Sequence, residues 1–240
     1  MRDDIYQHKK DPLEKFTFSK EVSDVFDDMI NRSVPGYKDV LNMSGEIIKK
    51  FYQPDTMIYD LGASTGALPL KLIEIFQGLR FRYKGIDNSL PMVEKARSYL
   101  KKVSHDQEID FMKGDIEGFF FKDASVIVSS YTMQFIPPER RESLFQEIYN
   151  SLTASGIFIL SEKVVEEDER LNLFYQERHY QMKKKEGYSD LEIAQKRDAI
   201  ENVLIPFTFE RNIEMLRRCG FSTISIFYKW YNFVSILAVK

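Results

Sequence analysis

The chain has 240 residues, of which 43% are hydrophobic and 30% are charged, and its formal net charge is −3. This composition predicts one domain with a substantial core, and it excludes the general basic field that direct binding to DNA or tRNA would use. The single cysteine, Cys219, excludes an internal disulfide, and no apolar run approaches the roughly 18 residues of a membrane span. Because the start, MRDDIYQHKKDP, also lacks the apolar core of a signal peptide, we expect a soluble, cytoplasmic protein that does not contact a membrane.

The first part of the chain, residues 1–52, is expected to form a tail and helices that precede the nucleotide-binding region. Residues 1–15 are polar and charged, which predicts a loose tail. Phe16 and Phe18 alternate with polar residues and can anchor that tail to the domain. Two helical patterns follow, and the second of them starts at Tyr37, directly after a Pro-Gly break.

The stretch MIYDLGASTGA, residues 57–67, contains the most informative pattern of the chain. Its apolar beginning predicts a buried parallel strand that includes Asp60, and Gly62, Ser64 and Gly66 then form a turn before a helix. Glycine reaches positive φ values and lets a ligand lie against the backbone. The spacing differs from the G-x-G-x-x-G of dinucleotide-binding proteins, and it resembles the first motif of methyltransferases that use S-adenosyl-L-methionine (SAM). A turn with a purely structural role would also favour glycine.

Two further predicted strands end near acidic residues. Asp87 ends the strand FRYKGIDNS, where a carboxylate can accept hydrogen bonds from both ribose hydroxyls of a nucleoside. The next strand, EIDFMKGDIEG, is predicted to end at Asp115 and Ile116, which suit the amine and the ring face of an adenine; a solvated turn acid fits the same residues. Ser130 stands at the end of the fourth strand, on the edge where doubly wound sheets bind ligands.

A helix and a fifth strand, IFILSEK, follow, and the chain then makes a long excursion over residues 164–205. We predict a helical insertion here, with one helix that ends in the basic run Lys183–Lys185 on a solvated face. A second helix starts at Ser189, whose spacing to Glu192 is that of a capping box. A final helix and two strand-like runs, expected to pair as an antiparallel hairpin, complete a single α/β domain, residues 1–240, with a mostly parallel, Rossmann-like sheet.

Arg197 occupies an unusual position in the second insertion helix. It follows Ile193 by four residues and precedes Ile200 by three, with Leu204 four further on, so we expect it to share one apolar helical face. A desolvated guanidinium requires an anionic partner. A structural salt bridge would provide one, and so would the carboxylate of a ligand, which a guanidinium matches through two parallel hydrogen bonds.

Seven segments together resemble the carboxy-S-adenosyl-L-methionine synthase family. They are RSVPGY (32–37), YDLGAS (59–64), IDNS (86–89), GDI (114–116), LSEK (160–163), GYS-LEI-QKR (187–197) and ENV (201–203). The resemblance covers nearly the whole chain after Phe16, and the QKR segment is more specific to the family than the glycine loop is. It implies a class I methyltransferase fold whose sheet finishes in an antiparallel hairpin. In that family SAM and prephenate give carboxy-SAM and phenylpyruvate, and a separate enzyme uses the product to modify a wobble uridine in tRNA.

The resemblance also implies a set of residues that contact the ligand. These are Tyr37, Gly62, Ala63, Ser64, Asp87, Asn88, Asp115, Ile116, Ser130 and Arg197. Arg197 would hold the added carboxylate and is the expected catalytic residue. Ala63 stands where the family pattern has cysteine, which matters little if its backbone makes the contact. Ser130 stands where asparagine is expected, and its hydroxyl offers less than an amide.

The chemistry implied by the resemblance is carboxyl transfer to the methyl group of SAM. The sulfonium acidifies the methyl C–H bonds, so an ylide can capture the carbon dioxide that prephenate loses. The residues indicate no dedicated base, since His8, His105 and His179 fall in a tail, a polar turn and a helix. We expect SAM as a substrate, no metal, prephenate as the second substrate, a homodimer, and delivery of the product to a tRNA-modifying enzyme.

Two other functions stay open at this point. One is an ordinary SAM-dependent methyltransferase that acts on a small molecule. The other is a non-catalytic SAM-binding protein that uses its insertion for assembly. Arg197 favours the synthase, because a methyl donor needs no carboxylate partner.

Overall fold

A computed structural model describes residues 1–200 and 203–240 of the chain. The strands are β1 (Met57–Leu61), β2 (Arg82–Asp87), β3 (Glu108–Lys113), β4 (Ala124–Ser130), β5 (Leu152–Lys163), β6 (Thr223–Trp230) and β7 (Phe233–Val239). The helices are α1 (Lys20–Ser33), α2 (Tyr37–Phe51), α3 (Ala67–Phe76), α4 (Leu90–Leu100), α5 (Pro138–Ser151), α6 (Glu169–Lys185), α7 (Asp190–Ile200) and α8 (Phe209–Cys219). None of the helices in these ranges is long and apolar enough to cross a membrane.

The seven strands form one sheet in the order β3-β2-β1-β4-β5-β7-β6. Strands β1 to β5 run parallel to one another, and β7 lies antiparallel between β5 and β6. This arrangement confirms the predicted fold class, including the terminal hairpin. The chain order reverses between β1 and β4, and ligands bind at such reversals in open α/β sheets.

Side chains on both faces of the sheet are buried. One face packs on α5 and α8, with Phe145 and Leu216 at its centre, and the other packs on α2 to α4, with Leu72 fully enclosed. Each such side chain contributes about 1.5–3 kcal/mol when it leaves water. The apolar repeat of the α5 sequence therefore forms part of the core, as its spacing predicts.

The helices begin at the caps that the sequence indicates. Ser19 Oγ accepts a hydrogen bond from the N–H of Val22 at 3.3 Å and starts α1. The predicted capping box at α7 is present, because Glu192 Oε2 accepts from the N–H of Ser189 at 2.7 Å and Ser189 Oγ accepts from the N–H of Glu192 at 3.3 Å. These contacts satisfy donors that a helix N-terminus leaves free.

Two predicted element boundaries are wrong. Strand β3 ends at Lys113, before Asp115, because the N–H of Gly114 already turns to the carbonyl of Asp87. Strand β5 starts at Leu152, five residues before the predicted run IFILSEK, which begins at Ile157. The earlier part of the strand is irregular, since Ser155 has φ +60° and the register with β4 shifts there.

The prediction of a loose N-terminal tail is also wrong. The side chain of Asp3 is only 2% exposed, its N–H donates to Asp28 Oδ2 at 2.7 Å, and Tyr188 donates its hydroxyl to the Asp3 carboxylate. Tyr6 is buried as well. Polar composition suggested disorder, but the partners of these groups lie on α1 and near α7, at sequence distances that no local pattern reveals.

Phe16 and Phe18 anchor this N-terminal segment as predicted. Their rings pack edge to face with centroids 5.1 Å apart, and the N–H of Phe16 donates to the carbonyl of Ala199 at 2.9 Å. The segment thus connects α1 to the end of α7.

The insertion contains the predicted helices, but one of them presents a different face. The buried residues of α7 are Ile193, Gln195 and Ala199, whereas Arg197 is exposed and Leu204 lies beyond the end of the helix. The apolar face expected to contain Arg197 is therefore wrong, because α7 packs on the N-terminal segment through polar bonds of Gln195 to the carbonyls of residues 6 and 8. Residues 201 and 202 of the ENV segment lie outside the described residues.

The basic run at the end of α6 is only partly solvated. Lys184 and Lys185 are exposed as predicted, whereas Lys183 is half-buried and faces the domain. No residue of α6 is fully buried, although Leu171, Leu173 and Phe174 are apolar.

Candidate active site

Two cavities lie side by side at the carboxyl edge of the parallel strands. The wider one, about 540 Å³, is lined by Thr17, Phe18, Ser19, Asn88, Ser89, Lys113, Gly114 and Asp115. The second is narrower, and its lining includes Tyr37, Asp60, Gly62, Ala63, Ser64, Ser130 and Tyr131. Most of the predicted site residues thus line one cavity or the other.

Asp87 lies between the two cavities. Its Oδ2 accepts from the N–H of Ser64 at 2.9 Å, and its Oδ1 accepts from the N–H of Ser89 at 2.8 Å. Ser64 lines the narrow cavity and Ser89 the wide one. Burial raises the pKa of Asp87, and the two N–H donors oppose that rise. Each oxygen keeps acceptor capacity for a further donor, so the carboxylate can bind two neighbouring hydroxyls.

The glycine turn between β1 and α3 brings backbone close to this carboxylate. Gly62 has φ +80°, and a Cβ there would stand 2.2 Å from Oγ1 of Thr132. Gly66 has φ +78°, and a Cβ there would stand 2.8 Å from the ring of Phe111. Side chains are excluded at both positions by conformation and by space, so the turn exposes its backbone to the narrow cavity.

Asp60 also lines the narrow cavity, and the sequence reasoning used it only as part of a motif. Its carboxyl group is buried and accepts from the hydroxyl of Tyr83 at 2.7 Å. Burial raises the pKa of Asp60 to about 7, the Tyr83 hydrogen bond lowers it, and the charge of Asp87 raises it further. A cation in the cavity would stabilise the charged form of this group.

Tyr131 is a site residue that the sequence did not indicate. It lines the narrow cavity beside Ser130 with φ +59°, an uncommon conformation for a residue with a large side chain. Its buried hydroxyl has no hydrogen-bond partner among the described residues. The positive φ and the unpartnered hydroxyl both arise from tertiary structure, and a tyrosine after a strand in the sequence predicts neither of them.

Arg197 lines neither of the two cavities. Its side chain is 73% exposed, and its Nε donates to Oδ1 of the adjacent Asp198 at 3.0 Å. Ile116 is buried directly beside Asp115, in the core. Of the predicted site residues, Asp87 lies between the two cavities, whereas Ile116, in the core, and Arg197, at the surface, line neither of them.

In the described ranges, 1–200 and 203–240, no group of three or more His, Cys, Asp or Glu side chains is placed to hold a metal ion. The residues of the two cavities fit a nucleoside with a polar tail. The wide cavity has room for a ring system, Asp87 can bind ribose hydroxyls, and the narrow cavity offers backbone and carboxyl groups.

Residues 58–156 match a family model described as a methyltransferase domain. A carboxy-S-adenosyl-L-methionine synthase from Desulfotalea psychrophila is 40% identical over 239 residues, which cover 100% of this chain and 97% of that protein. The chain belongs to the carboxy-S-adenosyl-L-methionine synthase family. A second member, from a Nitratiruptor species, is 44% identical and covers 95% of each chain. The protein is accordingly a transferase that uses SAM, as the sequence predicted.

Solved structures of class I methyltransferases share the fold. Human N-acetylserotonin methyltransferase in complex with SAM aligns with a TM-score of 0.64 at 18% identity, over 92% of this chain and 55% of that one. Magnesium protoporphyrin IX methyltransferase from Synechocystis with bound SAM gives 0.58 at 15% identity, over 85% and 80%. At these identities the likeness establishes the architecture and nothing about the substrate.

Proposed function

We propose that the protein converts SAM and prephenate into carboxy-SAM and phenylpyruvate, and that a separate enzyme uses the product to modify a wobble uridine in tRNA. The family of the chain supports carboxy-SAM as the product. The observation that carries the proposal to this molecule is that Asp87 bonds to Ser64 of the narrow cavity and to Ser89 of the wide one.

SAM fits these cavities in one direction. Its adenine occupies the wide cavity, where Asp115 can accept from the exocyclic amine, and its ribose hydroxyls face Asp87, with Asn88 beside them. The methionine end then lies in the narrow cavity, between the glycine turn and Tyr37. Asp60, with its pKa near 7, takes the charged form when the cationic end of SAM arrives.

The proposed reaction balances without a base from the protein. The bond between the prephenate ring and its carboxylate breaks, the ring becomes aromatic, and the ring hydroxyl leaves as hydroxide. Hydroxide takes one proton from the sulfonium methyl group and becomes water. The resulting ylide carbon forms a bond to the released carbon dioxide, which gives carboxy-SAM. The protein contributes orientation and the exclusion of water from the ylide.

The role of Arg197 is part of the proposal. The family resemblance implies that Arg197 binds the added carboxylate of carboxy-SAM. In the structure its partner is the exposed, adjacent Asp198. Exchange of that weak surface contact for a ligand carboxylate requires little energy, since exposed ion pairs contribute about 0–1 kcal/mol. The side chain must, however, move to the narrow cavity to act there.

The reaction is tested by incubating the protein with SAM, with and without prephenate, and weighing the nucleoside product. We expect a species heavier than SAM by one carbon dioxide, and only when prephenate is present. Unchanged SAM in both samples would favour a non-catalytic SAM-binding protein. S-adenosylhomocysteine formed with another acceptor would favour an ordinary methyltransferase.

We also propose that the protein is a homodimer whose contact includes α6. This helix has no fully buried residue, yet it exposes Leu171, Leu173 and Phe174 at 46%, 57% and 43%. Apolar side chains clustered in this way are typical of interfaces. Light scattering should show a dimer that Leu173→Asp dissociates, whereas Phe120→Asp, at a residue 79% exposed elsewhere, should leave the dimer unchanged. A wild-type monomer would contradict this part of the proposal.

A further inference from the structure

Three lysines from three different elements converge beside the C-terminal end of β5. Lys163 ends β5, Lys183 lies in the last turn of α6, and Lys196 lies on α7. His179, one helical turn before Lys183, joins them. All of these residues are half-buried. We call Lys163, Lys183 and Lys196 the lysine cluster.

The contacts of Lys196, His179 and Lys163 show that these residues share one region, and Lys183 follows His179 by one helical turn. Nζ of Lys196 lies 3.1 Å from Oγ of Ser33, and Nε2 of His179 lies 2.8 Å from the carbonyl oxygen of the same residue. The ring of His179 packs on Phe233 with centroids 4.8 Å apart, and Phe233 pairs with Lys163 across the sheet. The end of α1, the start of β7 and the insertion therefore enclose the cluster.

The cluster holds more positive charge than its surroundings neutralise. Lys196 faces one carboxylate, Asp3, at 3.8 Å, and the hydroxyl of Tyr188 already donates to that group. Among the described residues no carboxylate lies within ion-pair distance of Lys163 or Lys183. The guanidinium of Arg32 stacks on Tyr188 and pairs with Asp28 at 3.0 Å, so the nearby carboxylate of Asp28 already has a cationic partner.

The protonation of the cluster reflects this imbalance. Burial, together with repulsion from Lys196 and Lys163, lowers the pKa of Lys183 to about 7. Burial lowers the pKa of Lys196 to about 8, against the attraction of Asp3, and it lowers the pKa of Lys163 as well. Half-buried ammonium groups without counter-ions are unfavourable, and an anion would stabilise their charged forms.

The position of the cluster connects it to the SAM cavities. Tyr131 lines the narrow cavity, and its ring centroid lies 6.2 Å from that of Phe233, which in turn contacts His179. Aromatic contacts thus lead from the narrow cavity, through Tyr131 and Phe233, to His179 beside the cluster.

We propose that the lysine cluster binds a carboxylate of the second substrate, namely the one that the substrate keeps after the reaction. This inference rests on the proposed function, in which prephenate has two carboxylates. One is transferred and must lie near the sulfonium, whereas the other stays on the side chain and leaves with phenylpyruvate. The cluster therefore serves 2-oxo acids that carry an aromatic or cyclohexadienyl ring.

Phenylpyruvate is the appropriate probe, because it contains the retained carboxylate and its binding needs no turnover. We expect calorimetry to show that Lys183→Met weakens phenylpyruvate about tenfold or more, since a charge-assisted contact is lost, while SAM affinity is unchanged. Lys184→Met is the matched control, because the adjacent Lys184 is exposed and paired with Asp190 at 2.8 Å, and it should change neither affinity. Lys163→Met should reproduce the effect of Lys183→Met.

A second readout separates ligand binding from a structural role. At pH 7.5 the wild type should take up protons when phenylpyruvate binds, as measured in buffers of different ionisation enthalpy, because the anion favours the charged form of Lys183, whose pKa is about 7. This uptake should shrink in Lys183→Met and persist in Lys184→Met. Circular dichroism confirms that each variant is folded, and Lys183→Gln replaces Lys183→Met if the latter is not.

The inference fails if phenylpyruvate binds folded Lys183→Met and Lys163→Met as tightly as it binds the wild type, or if it binds the wild type without proton uptake. Its failure is distinguishable from that of the proposed function. Carboxy-SAM formation with phenylpyruvate affinity independent of the cluster would overturn the inference alone. Cluster-dependent binding without carboxy-SAM formation would overturn the proposed reaction alone.

Discussion

The two sides of the carboxyl edge differ in the sign of their buried charge. On the nucleoside side, Asp60 and Asp87 are carboxyl groups whose pKa values burial raises. On the insertion side, Lys163, Lys183 and Lys196 are amines whose pKa values burial lowers. Apart from Asp3, which lies 3.8 Å from Lys196, no ion pair neutralises these groups among the described residues, so each side favours a ligand of the opposite charge. A cationic sulfonium and an anionic 2-oxo acid, the two ligands of the proposed reaction, have these properties.

The largest effect is expected at the backbone of the nucleoside side. Gly62→Ala forces a Cβ to 2.2 Å from Thr132 at φ +80°, so it should lower the free energy of unfolding by about 2–5 kcal/mol and abolish SAM binding. Gly78→Ala is the control, because φ there is +87° with no atom within 4 Å, and it should cost about 1–2 kcal/mol and spare binding. Urea unfolding and calorimetry measure both. An equal loss of SAM affinity in the two variants would contradict the assignment of this turn to the SAM site.

Removal of the carboxylate between the cavities should weaken SAM without unfolding the protein. Asp87→Ala loses charge-assisted bonds to the ribose, so we expect a loss of about 1.5–3 kcal/mol in binding free energy. Asp110→Ala, at an exposed carboxylate on β3, should leave the affinity unchanged. Unchanged SAM affinity in Asp87→Ala would remove this residue from the site.

The buried charges on the two sides should also change the free energy of unfolding in opposite directions as the pH rises. Asp60 has a folded pKa raised from 3.8 to about 7, so the folded state binds more protons than the unfolded state across that interval, and stability falls as pH rises through it. Lys183 has a folded pKa lowered from 10.5 to about 7, so the unfolded state binds more protons above pH 7, and stability rises with pH there. Each slope is at most about 1.4 kcal/mol per pH unit.

Single variants assign these slopes. Asp60→Asn should reduce the downward slope of the unfolding free energy between about pH 4 and 7, and Lys183→Met should reduce the upward slope above about pH 7, where Lys163 and Lys196 still contribute. Urea unfolding at unit steps of pH, on the wild type and on both variants, measures the two intervals. Slopes that are the same in each variant as in the wild type would contradict the assignment of shifted pKa values to Asp60 and Lys183.

The smallest effect is expected at Arg197, because its side chain is exposed. Arg197→Ala should weaken carboxy-SAM by about 1–2 kcal/mol and leave SAM unchanged, since only the product has the added carboxylate. Arg197→Lys should restore part of the loss, because an ammonium cannot form two parallel bonds. Calorimetry with both ligands on the three proteins decides this. If the affinities for carboxy-SAM and SAM fall equally, or if neither falls, Arg197 is a surface residue and the role implied by the family resemblance is wrong at this position.

The sequence predicted the parts of the molecule that depend on local pattern. Strand β1, its glycine turn and Asp87 at the end of β2 follow from apolar runs and from where parallel strands end. The orientation of Arg197 does not follow from local pattern, because the hydrogen bonds of Gln195 to the N-terminal segment determine which face of α7 is buried. The prediction that Lys183 is exposed to solvent is wrong for a related reason. One basic run contains both an exposed and a half-buried lysine, and only the packing of α6 distinguishes them.

The docked N-terminal segment has a consequence for how the lysine cluster meets ligands. Asp3 is a carboxylate of the chain itself, 3.8 Å from Lys196, and it is present at a far higher effective concentration than any solute. It therefore acts as an internal competitor, which partly occupies the place that an incoming carboxylate would take. A ligand carboxylate that binds Lys196 would have to displace Asp3, and the loss of the Asp3–Lys196 pair would reduce the apparent affinity for the ligand. Extensions fused ahead of Met1 would disturb this balance, so the apparent affinity for anions should depend on which end of the chain carries a purification tag.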